Sequence, residues 1–149
     1  MTREIMPVPA VLVVDDEPLI RWSLSEGLTE SGYAVRLAAN AAEARAILAG
    51  AAGQPMVLLL DLRLPDVVDL SLLREVRTKW PDVPVVLMTA FATVQTAVEA
   101  MKLGAYDYIQ KPFDGDEIRQ LVDRTLDHSR LKLENAALRT IAESALAPK

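Results

Sequence analysis

Met56-Val57-Leu58-Leu59-Leu60-Asp61 places five apolar residues in a row, follows a proline, and ends in a carboxylate. An unbroken apolar run of this length suits a short strand covered on both faces of a parallel sheet. Such a strand has no solvated side on which a charge can rest. Asp61 is therefore expected where the strand runs out, at the carboxyl edge of the sheet. That edge is where open α/β folds hold their ligands. Pro65, four residues on, prevents the strand from continuing.

The rest of the chain repeats this unit. Residues 1–9, with two prolines, read as a leader. Ala10 to Val14 is a second apolar run, opening onto Asp15-Asp16-Glu17-Pro18. Pro18 fits a first helical turn, where its missing N–H costs nothing. The helix that follows buries Leu19 or Ile20, then Leu24 and Leu28, and Gly32 suits its C-terminal cap. Tyr33 to Ala38 alternates more and reads as a strand nearer an edge. Asn40 is a good N-cap for the Ala-rich helix from Ala41 to Leu48. Gly50 and Gly53 mark the return to the strand ending in Asp61. A helix from Leu70 to Lys79 carries Leu72, Leu73 and Val76, and Pro81 and Pro84 bracket the next return. Val85 to Met88 is the fourth strand, ending in Thr89-Ala90. A helix from Thr93 to Leu103 is closed by Gly104, and Tyr106 to Gln110 is the fifth strand. After Lys111-Pro112-Phe113, a last helix starts at Asp114 or Asp116 and, past Gly115, runs unbroken by Gly or Pro to about Ala145. Five strands alternating with five helices predict one doubly wound α/β domain, a parallel sheet with helices on both faces.

Composition excludes several classes. With 149 residues and 51% hydrophobic content, the chain can build one real core. No apolar run approaches the roughly 20 residues of a membrane span, and the N-terminus lacks a signal-peptide layout. The absence of cysteine rules out disulfides and thiolate metal sites. A net charge of −5 argues against nucleic-acid binding by this segment. A cytoplasmic setting is expected.

Laid side by side, the strands bring Asp15, Asp16, Asp61, Thr89 and Lys111 to one crevice. Three carboxylates in one pocket repel, which raises at least one pKa. A hard divalent cation such as Mg²⁺ relieves that, because it takes carboxylate, carbonyl and water oxygens. A lysine and a hydroxyl beside a metal and a lone carboxylate make a phosphoryl-transfer kit. The cations neutralise the transferred group's oxygens, the hydroxyl donates to one of them, and the carboxylate attacks in line.

Val14-Asp15-Asp16-Glu17, Leu60-Asp61 with Leu64-Pro65, Met88-Thr89-Ala90 and Tyr108-Ile109-Gln110-Lys111-Pro112-Phe113 resemble the receiver domain of two-component response regulators. The resemblance covers about residues 10–127. It implies a flavodoxin-like sheet of order 2-1-3-4-5. It also implies that Asp61 is the phosphoacceptor, with a sensor histidine kinase as donor. Asp15, Asp16, Asp61 and the carbonyl of Arg63 would hold Mg²⁺ (or Mn²⁺). Thr89 and Lys111 would contact the phosphoryl group, Tyr108 would change rotamer on activation, and Lys111-Pro112 would be cis. Self-phosphorylation and dephosphorylation would be its only catalysis.

Thr89-Ala90-Phe91-Ala92-Thr93 and the run from Glu99 to Tyr108 resemble nitrogen-regulator-type receivers, which precede an AAA+ ATPase acting with sigma-54 polymerase and a DNA-binding domain. No Gly-x-x-x-x-Gly-Lys phosphate loop occurs in this chain. The loop after the acceptor departs from the family pattern, with Asp69 in place of the usual glycine.

Other functions share parts of this pattern. An aspartyl-nucleophile phosphatase needs a second acid two residues after the nucleophile, and Arg63 stands there. A receiver that relays phosphate without an output domain fits the same residues. His128, the only histidine, reads as solvated or at an interface, and Trp22 and Trp80 as packing residues. Residues 128–149 read as a helical linker and tail. Leu131, Leu138 and Ala145 fall at d positions and Leu121, His128, Asn135 and Ala142 at a positions of a weak heptad seam, which by itself fits a pairing helix or an amphipathic tail packed on its own domain or frayed in solution; in the resembled activators this segment is a dimerising linker, which implies a homodimer.

Overall fold

A computed structural model describes residues 8–51, 56–66, 70–90 and 94–128. Most of the leader, Gly53, Val67 to Asp69, Phe91 to Thr93 and the seam residues Leu131, Asn135, Leu138, Ala142 and Ala145 lie outside the described residues. The chain runs β1 (Ala10–Val14), α1 (Pro18–Glu30), β2 (Ala34–Ala38), α2 (Ala41–Gly50), β3 (Met56–Asp61), α3 (Ser71–Lys79), β4 (Val85–Thr89), α4 (Val94–Lys102) and β5 (Asp107–Gln110). A further helix, α5, covers 115–128. All strand pairs are parallel and the order is β2-β1-β3-β4-β5, as expected.

Period-two alternation splits the apolar runs between two cores. Leu12, Val14, Leu58, Leu60, Val85 and Leu87 meet α2 and α3 on one face. Val11, Val13, Val57, Leu59, Val86 and Met88 meet Leu24 and Leu28 of α1 and Ile118, Leu121 and Val122 of α5 on the other. This is why β1, β3 and β4 have no polar position before their ends. β2, at the edge, is only partly covered.

Helix ends follow the side chains at them. Gly32 at φ 94° lets the Tyr33 and Gly32 amides turn back to the Leu28 and Thr29 carbonyls after α1. Gly104 at φ 102° does the same after α4. Asn40 Oδ1 accepts from the Glu43 amide at 2.8 Å, and Asp114, not Asp116, opens α5 by accepting from the Asp116 amide at 2.9 Å. The structure decides between Leu19 and Ile20 and corrects the reading of Trp22. Ile20 packs inward while Leu19 is 72% exposed, because only one of two neighbours can face the sheet. Trp22, expected to pack, is 61% exposed, whereas Trp80 does pack against the α2–α3 core.

Candidate functional site

Asp15 and Asp61 leave the sheet on the same face. They continue the alternation Val11-Val13-Asp15 on β1 and Val57-Leu59-Asp61 on β3, whose strands are in register from Ala10–Met56 to Val14–Leu60. Asp15 is fully buried and Asp61 is 7% exposed, while Asp16, on the opposite parity, is exposed. One oxygen from each of these three carboxylates lies within 4.8 Å of the others, close enough for a single cation. All three are hard oxygen donors, the set that suits Mg²⁺ or Mn²⁺.

Lys111 closes the cluster. Its backbone amide donates to the Thr89 carbonyl at 2.8 Å, extending the β4–β5 ladder one step beyond β5. From there Nζ reaches Asp15 Oδ2 at 2.7 Å, Asp61 Oδ2 at 3.1 Å and Glu17 Oε1 at 3.8 Å. The Lys111-Pro112 peptide is cis. Thr89 is buried at the tip of β4, one residue past Met88, the partner of Asp61. Tyr108, in β5, is 42% exposed and turned toward solvent. All the expected crevice residues thus meet at one edge.

The main chain completes the frame. Asp15 Oδ1 accepts from the Glu17 amide at 2.9 Å, and Asp61 Oδ1 accepts from the Arg63 amide at 3.1 Å. The Leu62 amide donates to the Met88 carbonyl at 3.2 Å, and Leu64 is buried in the α2–α3 core. Arg21 Nη1 donates to the Asp15 carbonyl at 2.7 Å. Sequence reasoning missed Arg21 as part of this frame, because a guanidinium that donates to a main-chain carbonyl depends on side-chain placement and not on the identity of its partner residue.

Electrostatics differ from the expected cause. Burial comes first in raising the Asp61 pKa above the ordinary 3.8, the Arg63 amide opposes it, and the Asp15 charge adds to the rise only after that. Like-charge repulsion, expected to lead, is secondary because Lys111 sits between the two carboxylates. For Lys111 itself burial pulls the pKa down, but the Asp15 hydrogen bond and the Asp61 and Asp15 charges outweigh it, so the ammonium is held above its usual range.

A stability consequence follows with a definite sign. A carboxyl whose folded pKa is raised contributes most below its unfolded value, and that contribution is lost as pH rises through the folded pKa. Asp61→Asn removes the charge and is expected to raise Tm by about 2–5 °C at pH 7 without divalent ions. The gain should shrink toward zero as pH falls to 3.8 and below, where Asp61 itself is neutral. Thermal unfolding of both chains between pH 4 and pH 7 reads this, and an Asn variant less stable at pH 7 would refute it.

His128 is exposed on α5, in keeping with a solvated histidine, its ring 5.3 Å from that of Tyr106. Among the described residues, no helix is long and apolar enough to cross a membrane.

Comparison with known proteins extends these observations. The profile of the response regulator receiver domain family matches residues 11–123. The chain is 42% identical over 120 residues to the DNA-binding transcriptional regulator NtrC of Proteus hauseri, covering 80% of this chain and 25% of that protein. It is 40% identical over 124 residues to the regulatory protein AtoC of Escherichia coli K12, covering 83% and 26%. The crystal structure of NtrX from Brucella abortus superposes with a TM-score of 0.83 at 35% identity, over 95% of this chain and 31% of that one. A CheY-like receiver domain from Methanospirillum hungatei superposes with a TM-score of 0.76 at 28% identity, over 84% and 98%. The chain spans about a quarter of the length of the curated relatives it matches.

Proposed function

Because the chain belongs to the response regulator receiver domain family, we propose that it is a signalling switch in which Asp61 accepts a phosphoryl group from a sensor histidine kinase. The observation that carries this is the Lys111 ammonium set between the Asp15 and Asp61 carboxylates at 2.7 and 3.1 Å, at the ends of adjacent strands. An Asp61 carboxylate oxygen attacks phosphorus. The phosphorus–nitrogen bond of the donor phosphohistidine breaks, and an acyl phosphate forms on Asp61. Asp15, Asp16, Asp61 and the Arg63 carbonyl would hold Mg²⁺ (or Mn²⁺), and the all-oxygen donor set fits it. When bound, that ion supplies positive charge to offset the phosphoryl oxygens. Lys111 neutralises a further oxygen, and the Thr89 hydroxyl donates to another.

The new dianion shifts a population rather than making a new fold. Drawn toward the phosphoryl group, Thr89 moves the loop after β4. Tyr108, which faces solvent in this structure, turns inward, and the α4–β5–α5 face changes. Residues 10–127 form the receiver, and 128–149 link it, as a homodimer, to output machinery. The similarity to NtrC, a DNA-binding transcriptional regulator, supports a cytoplasmic role in transcription regulation, with no nucleic-acid contact by this segment; if the chain is part of a longer protein, AAA+ and DNA-binding output domains follow it.

Backbone amide spectra recorded before and after treatment with acetyl phosphate and Mg²⁺ test the switch. Shifts are expected at Thr89, Tyr108 and along α4–β5–α5, and their absence in a phosphorylated chain would refute it. Thr89→Ala is expected to keep phosphorylation while losing most of the shift at Tyr108. A wild-type response in that variant would remove Thr89 from the coupling.

A further inference from the structure

The first turn of any helix leaves amides without partners inside the helix. In α2 these are met from two directions. Asn40, the residue before the helix, takes the Glu43 amide at 2.8 Å. The two earlier amides are taken from another element altogether. Asp66 Oδ1 accepts from Ala41 N at 2.9 Å, and Asp66 Oδ2 accepts from Ala42 N at 3.1 Å, across 25 and 24 residues of sequence. Asp66 ends the described part of the loop that leaves Asp61. That loop is fastened at each step: Leu62 to the Met88 carbonyl, Arg63 to Asp61, Leu64 into the core, and Asp66 onto α2. The Ala41 amide chiefly holds the Asp66 carboxyl below its usual range, as a donor to the charged form does. A carboxylate at a helix N-terminus is also favoured by the helix dipole. Arg45, one turn into α2, pairs with Glu75 of α3 at 2.9 Å and braces the same side.

We infer that Asp66 is a positioning residue for the metal site, its two bonds to α2 fixing the loop that carries Arg63 to the acidic cluster. This rests on the proposed function, in which the Arg63 carbonyl joins Asp15, Asp16 and Asp61 around Mg²⁺. Asp66 touches neither the ion nor the phosphoryl group. It acts by removing freedom from the loop, which otherwise has to be ordered each time the ion binds.

The test separates loop positioning from helix stability. The wild-type 149-residue chain, Asp66→Ala, Asp66→Asn and Asn40→Ala are titrated with MgCl₂, following the backbone amide signals of Asp16, Asp61 and Arg63. Asn40→Ala uncaps α2 from within and leaves the loop fastened. Asp66→Ala is expected to raise the Mg²⁺ concentration at half-saturation about tenfold. Asp66→Asn, keeping one acceptor oxygen, should fall between. Asn40→Ala should lower Tm yet bind Mg²⁺ as wild type does. Amide exchange at Arg63 should quicken in Asp66→Ala and not in Asn40→Ala. Unchanged half-saturation in Asp66→Ala, or an equal shift in Asn40→Ala, overturns the positioning role while leaving the proposed function standing. A wild-type chain that binds no Mg²⁺ at these residues overturns both.

Discussion

Asp61→Asn is expected to gain no phosphoryl group from acetyl phosphate, while the wild-type chain is expected to gain one, and only in the presence of Mg²⁺ or Mn²⁺. An amide is not a nucleophile toward phosphorus, and among the described residues no other carboxylate combines the position of Asp61 with its surroundings. Asp15 is fully buried, with one oxygen engaged by the Glu17 amide and the other by Lys111. Asp16, on the opposite parity, is exposed to solvent. Asp61 alone sits at the rim with one oxygen held by the Arg63 amide and the other shared with a cation that an incoming phosphoryl group also needs. Intact-mass measurement reads the outcome directly, and chelation should bring the wild type down to the level of the variant. A phosphoryl group still gained by Asp61→Asn would move the acceptor elsewhere.

Lys111→Met is expected to be destabilised by about 3 kcal/mol without divalent ions, and to bind Mg²⁺ about tenfold more tightly than wild type. Lys111 is 11% exposed and is the counter-ion of two carboxylates that are 0% and 9% exposed at their side chains. Breaking a buried ion pair from one side costs about 3–5 kcal/mol, because the partner charge stays behind. The lower end applies because Asp61, already raised by burial, can take a proton. Mg²⁺ in the wild type must share Asp15 and Asp61 with the ammonium. Without it the full negative charge is available to the metal, and about 1.4 kcal/mol of relief is a factor of ten. Adding Mg²⁺ should therefore restore much of the variant's Tm. Phosphoryl transfer should still fail, since one of the two positive groups facing the phosphoryl oxygens is gone. Chemical denaturation with and without MgCl₂, beside a metal titration, checks both halves. A variant as stable as wild type and no tighter for Mg²⁺ would show that the ammonium carries no such load.

Read from local pattern, the regular elements needed little correction. The runs at β1, β3 and β4 could not be amphipathic, so they could only be central strands. Asn40, Gly32 and Gly104 mark helix ends because their chemistry acts on amides and carbonyls a few residues away. The crevice residues were legible for a related reason. In a parallel sheet every strand ends on the same edge, so an Asp, Thr or Lys just beyond an apolar run is carried there by topology.

What the sequence by itself determined is thus the set of elements, their parallel arrangement and the polar residues at their carboxyl ends, all consequences of near-neighbour chemistry and strand direction. Tertiary structure alone decided that Ile20 and not Leu19 turns inward, that Trp22 stays exposed, and that burial rather than repulsion leads in raising Asp61. It also decided that Arg21 holds the Asp15 carbonyl and that Asp66 caps a helix 24 residues before it. Each of these depends on which atoms meet across elements, where distance is set by packing and a side chain's partner leaves no mark in the residues beside it.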